Sequence, residues 1–212
     1  MTRSFSKHGF RRNFGGRSEN KKIWIFTDAK ETEKLYFLAK KREIEENLVV
    51  RVEKIKVISS KGKSTGNLIN FAVSYIEHNK ISKNDEFWLV FDRDKFDDFD
   101  KAIKNAKEKG FRIGYSNPCF EFWYLLHFDF YRSKLDADLA FNKLSEIFQK
   151  KFQIKYKKDL DGVYQLIKKS EENAVNNSKK ILKDIGDKIP FSKRVPSTTV
   201  GLLVDRLNSL TK

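Results

Sequence analysis

Asp92 and Asp94 stand one residue apart where an apolar run, Phe87 to Phe91, comes to an end. If the chain stays extended there, the two carboxylates point the same way, because side chains in a strand alternate with a period of two. Like charges held side by side repel unless a cation lies between them. Magnesium, or manganese in its place, suits such a site, since it takes hard oxygen ligands and partners phosphates. The competing reading is an acidic turn that continues through Asp97, Asp98 and Asp100. Asp28, Glu31 and Glu33 follow an earlier apolar run, Ile23 to Phe26. An acid there could share a cation with the pair if the two runs are neighbouring strands about 4.8 Å apart. Acids at that place also simply favour a helix N-terminus. Glu121 lies among Phe120, Phe122, Trp123 and Tyr124, neighbours that demand burial. A buried carboxylate needs a cation or hydrogen-bond donors, so both a functional role and a structural ion pair remain open for it.

Cationic residues form a second set. The chain carries 44 Lys and Arg against 29 Asp and Glu, a formal net charge of +15, which favours polyanionic partners and nucleic acid first among them. A coding bias toward Lys, Asn, Ile and Phe would leave the same excess as ordinary solvated surface. Residues 1–22 hold seven Lys/Arg and one acid, with Phe5, Phe10 and Phe14 interleaved among Arg3, Arg11, Arg12 and Arg17. That composition reads as a basic arm whose arginines meet phosphates while its aromatics stack on bases, or as a solubilising leader. Lys61 to Gly66 looks like half of a phosphate-binding loop. Its upstream glycine is missing, because Val57 occupies that place, so Lys61 and Lys63 are expected to touch nucleic-acid backbone instead. His127 is expected to be a satisfied core histidine, and Cys119 a packing residue.

These residues need a frame. Short apolar runs at 23–27, 49–58, 86–92 and 111–116 alternate with helical stretches from about 33 to 46, 67 to 79 and 98 to 109. Thr32 is the expected cap of the first of those helices and Gly110 the stop of the last. Helices between short strands imply an α/β fold with a mainly parallel four-stranded sheet and right-handed crossovers. Beyond Asn117 and Pro118 the pattern turns helical: 119–128, about 134–152, about 160–185, and a last helix from Ser197 or Thr198. The expected organisation is a flexible basic arm (1–22), an α/β core (23–128) and a helical C-terminal extension packed on it (129–212). Apolar residues make up 39% of the chain, enough for a sizeable core. No apolar run reaches the roughly 18 residues of a membrane span, and the N-terminus lacks a secretory stretch. With a single cysteine, a reducing, cytoplasmic setting is expected.

Four stretches together resemble the RloB-like family, a bacterial group with a Toprim-type catalytic domain: Ile23 to Phe37, Trp88 to Asp94, Tyr115 to Phe128 and Pro196 to Val200. The block Ser116, Asn117, Pro118, Cys119, Phe120, Glu121 is the most specific of them. Thr27, Asp28 and Ala29 stand where the family pattern has cysteine, glutamate and glycine, and Thr32 and Glu33 keep its Thr-Glu pair. The resemblance implies a Toprim-like core in which the Asp92/Asp94 pair, with Asp28, binds Mg2+ or Mn2+, while Asp28 or Glu33 handles the proton and Glu121 joins the site. It implies a nuclease-like protein cleaving DNA or RNA in defence against phage or foreign nucleic acid, beside an ATPase partner. The competing class is a non-catalytic, nucleic-acid-binding or regulatory subunit with a degenerate metal site. A haloacid-dehalogenase-like phosphatase also uses two aspartates one residue apart, but after the first core strand; here two α/β units precede them.

Overall fold

A computed structural model describes residues 21–28, 31–48, 54–61, 65–93 and 98–211. The first apolar run forms β1 (Ile23–Thr27) and leads into α1 (Thr32–Asn47). Then come β2 (Ile55–Ser59), α2 (Thr65–His78), β3 (Glu86–Asp92), α3 (Phe99–Glu108) and β4 (Arg112–Asn117). The C-terminal part holds α4 (Glu121–Leu125), α5 (Ala137–Phe152), α6 (Val163–Ile167), α7 (Glu171–Ile185), β5 (Ser197–Thr198) and α8 (Val200–Asn208). The sheet order is β2-β1-β3-β4-β5. The first four strands are parallel and β5 is antiparallel to β4.

The central strands β1 and β3 are apolar on both faces because helices cover both. Along β1, Ile23 and Ile25 enter one core with Trp88 and Val90 of β3, beneath α1 and the C-terminal helices. Trp24 and Phe26 turn the other way, joining Leu89, Phe91, Ile113 and Tyr115 beneath α2 and α3. Gly110, at φ +85°, lets the chain leave α3, which an L side chain would resist. Gly201 serves close approach instead: a Cβ on it would lie 2.0 Å from Ser178 Oγ and 3.3 Å from Trp123 Cζ3, so α8 can lie against α7 only without one.

Several expected boundaries move. β2 starts at Ile55 rather than 49, and residues 49–53 lie outside the described set. Thr32 is no cap: it is the first helical residue, and its hydroxyl donates to Lys158 O at 2.8 Å. Of the apolar side that the sequence predicts for α1, Leu35, Leu38, Ala39 and Ile44, only Ile44 is buried; it is joined by Glu33, Tyr36, Phe37 and Lys40, while the other three are half-buried. The difference arises because Lys40 can be buried against Glu171, which accepts from Lys40 Nζ at 2.6 Å, Tyr36 OH at 3.2 Å and Asn208 Nδ2 at 3.0 Å. Asn117 ends β4, and the helix expected from 119 begins only at Glu121. The single helix expected at 160–185 is two, joined by a 3-10 turn at Lys168–Ser170. Ser197 and Thr198 form a fifth strand and the residue before the last helix is Thr199, although Thr198 Oγ1 still accepts from the N–H of Val200, the first helical residue, at 3.1 Å. Among the described residues no helix is long and apolar enough to cross a membrane.

Candidate active site

The carboxyl ends of β1, β3 and β4 lie at one edge of the sheet, where ligands bind in parallel α/β folds. Asp28 follows β1 directly. Its backbone N–H donates to Val90 O at 3.2 Å, which holds it beside β3, and it is 7% exposed. Asp92 is the last residue of β3, in register with Ser116 of β4. Glu33 comes from the first turn of α1 and Glu121 opens α4; they are 2% and 1% exposed. Four carboxylates carried by three strand-to-helix junctions thus come within electrostatic reach of one another.

Two of them, Glu33 and Asp92, feel the others directly. Burial, then the charge of Asp28, then that of Glu121, hold the Glu33 carboxyl well above the usual range. Burial followed by the charges of Glu33, Asp28 and Glu121 does the same to Asp92. Asp92 accepts from the backbone N–H of Phe120, but its Oδ1 is buried with no hydrogen-bond partner. An orphaned carboxylate oxygen among other acids is a position that a hard cation would fill. As the side chains stand, no group of three or more His, Cys, Asp or Glu among the described residues is drawn together to hold a metal ion. Asp94 lies outside the described residues.

Two groups from the loop between α5 and α6 complete the site. Tyr156 OH donates to Glu121 Oε1 at 3.3 Å, and Lys158 Nζ lies 3.7 Å from the same oxygen. Tyr124 OH donates to Thr32 O at 3.5 Å. Sequence reasoning did not find Tyr156 or Lys158. They lie 35 and 37 positions beyond Glu121, in a segment whose lysines look alike. Arg93 was visible only as the middle of the aspartate pair; its Nε is buried without a partner among the described residues.

The other expected site residues scatter. Lys61, exposed at φ +61°, follows β2 and so lies at the same sheet edge as Asp28. Arg3, Arg11, Arg12, Arg17 and Lys63 lie outside the described residues. Cys119 is buried, and burial together with Glu121 and Asp92 pushes its thiol far up, which suits a packing role rather than a nucleophile. His127 is satisfied at one nitrogen only: Nδ1 donates to Trp123 O at 3.0 Å, while Nε2 is buried without a partner.

No curated protein and no solved structure matches the chain. A family model described as RloB-like protein matches residues 23–207, which run from the first residue of β1 to the penultimate residue of α8 and include Asp28, Glu33, Asp92 and Glu121. The chain belongs to the RloB-like protein family.

Proposed function

We propose that this is a Toprim-type, metal-dependent nuclease that cleaves phosphodiester bonds of DNA or RNA, in defence against phage or foreign nucleic acid. The observation that carries this reading is the convergence of Asp28, Glu33, Asp92 and Glu121 at the carboxyl edge of a parallel sheet, with Asp92 Oδ1 left orphaned. Acids gathered in this number away from water cost free energy unless they are paired, hydrogen-bonded or neutralised, and a bound cation would pair them. Asp92, with Asp94 and Asp28, would hold Mg2+ or Mn2+, which supplies charge stabilisation to the phosphate when bound. Glu33, whose carboxyl burial and the charge of Asp28 hold well above the usual range, is suited to exchange a proton beside the reacting oxygen. Glu121, fixed by Tyr156, keeps its neighbours' charge balance and the shape of the site.

The net charge of +15 supports a polyanionic substrate, and a cytoplasmic setting with an ATPase partner belongs to the same reading. One observation favours a second reading, a regulatory nucleic-acid-binding subunit with a degenerate site: Asp28 and Ala29 stand where the family pattern has glutamate and glycine. The test is incubation with supercoiled plasmid, tRNA and total RNA in magnesium or manganese, comparing wild type with Asp92→Ala. Metal-dependent cleavage lost in Asp92→Ala supports the nuclease. Binding without cleavage of any of the three supports the regulatory subunit.

A further inference from the structure

Lys158 belongs to none of the motifs that the family resemblance rests on, yet the structure sets it against the acids. Its side chain is 64% exposed while that of its partner Glu121 is 2% exposed, so the ammonium stands on the solvent side of a buried carboxylate. The position is built. Thr32 Oγ1, one residue from Glu33, donates to Lys158 O at 2.8 Å and ties the α5–α6 loop to the start of α1. Tyr156, two residues earlier, bonds Glu121 from the same loop. At 3.7 Å the contact between Nζ and Oε1 is an ion pair and not a hydrogen bond, so the ammonium's N–H donors are not committed to Glu121.

A nucleic-acid chain approaching this acidic cluster meets a repulsive field wherever its carboxylates are ionised. A cation at the mouth of the site, with donors to spare, offsets that field where the phosphate must enter. We propose that Lys158 is a substrate-contacting residue: its ammonium, paired with Glu121 in the free protein, takes a phosphate oxygen of the nucleic-acid strand brought to the carboxylates. The C-terminal part of the chain thereby contributes to recognition as well as to packing. This inference rests on the nuclease reading for its substrate, but phosphate contact can be measured without cleavage.

The experiment titrates a short labelled single strand with the full chain in calcium, over about 50 to 200 mM salt. It compares wild type, Lys158→Gln, Lys158→Arg and a control, Lys150→Gln, on the exposed side of α5. One lost phosphate contact lowers the slope of log K against log salt by about 0.7 for a single strand. Lys158→Gln should show that drop and a several-fold weaker affinity. Lys158→Arg should keep both, and Lys150→Gln should match wild type. Equal slopes for Lys158→Gln and wild type overturn the proposal, as does a wild type that binds no strand at all. Melting curves of both Lys158 variants show whether the fold is intact; a Lys158→Arg variant that is folded yet binds like Lys158→Gln also overturns it. If the slope falls as expected while wild type cleaves nothing in magnesium or manganese, the phosphate contact stands and the nuclease reading fails.

Discussion

His127→Phe should flatten the acid side of the stability profile. The His127 ring is 3% exposed and stacks edge-on against Trp123, with centroids 4.9 Å apart. Its Nδ1–H is spent on Trp123 O, and Nε2 has no acceptor in reach if it takes a proton. Burial therefore pulls the imidazole from its ordinary 6.5 down to about 4, with a smaller push from Lys40. Between those two values the unfolded chain binds a proton that the folded chain refuses, so stability falls as pH falls. From about pH 7 to about pH 4.5 that loss is about 2.5 kcal/mol, at roughly 1.36 kcal/mol per pH unit. Glu33 and Asp92 act with the opposite sign. Their folded carboxyls bind protons more tightly than unfolded ones, so they take stability away as pH rises through their raised folded values. Wild type and variant share that contribution, and subtracting one profile from the other removes it. Any overpacking by the larger ring, about 1–3 kcal/mol, is also present at both pH values. Urea unfolding of the two proteins should show the variant gaining about 2.5 kcal/mol on wild type over this range. Parallel profiles would mean that His127 is protonated in the folded protein and that the unpartnered Nε2 has an acceptor after all.

Magnesium should raise the melting temperature of the wild type, because an ion that binds only the folded state stabilises it. Asp92→Asn should remove most of that rise and melt higher than wild type without metal, and calorimetry showing an equal magnesium effect in both refutes the carboxylate site. Lys40→Met should cost about 3–5 kcal/mol in urea, since it strands the buried Glu171 charge; a loss under about 1 kcal/mol would show that Tyr36 and Asn208 suffice for it. Deleting residues 1–20 should weaken nucleic-acid binding and flatten its salt dependence, and an unchanged slope would leave the arm no part in it.

The frame of the site was legible because its carriers are short apolar strands with acids at their ends. β1 and β3 are marked by Ile23 to Phe26 and Phe87 to Phe91, and a parallel arrangement alone brings Asp28 and Asp92 to one edge. Glu121 was legible as a carboxylate among aromatics. The true stripe of α1 was not, because Glu33 and Lys40 read as polar until their partners are known, and Glu171 is 131 positions from Lys40. β5 has two residues, too few for any periodicity. It exists because β4 offers an edge: Ser116 Oγ and Thr198 Oγ1 meet at 3.1 Å, and Thr199 Oγ1 accepts from Tyr115 N–H and donates to Ile113 O. Lys158 was hidden for a different reason. Among 44 Lys and Arg, only a three-dimensional neighbour distinguishes one lysine from the rest.

The two residues of β5 also set an order on synthesis. β4 emerges from the ribosome some 80 positions before the strand that covers it, and Tyr115 and Ser116 wait for Ser197 and Thr198 across that interval. Until then the open backbone of β4 can pair with the edge of another nascent chain. A message truncated anywhere between codons 118 and 196 would therefore yield a core with all four parallel strands in place and the β4 edge uncovered, a product bound for aggregation and proteolysis.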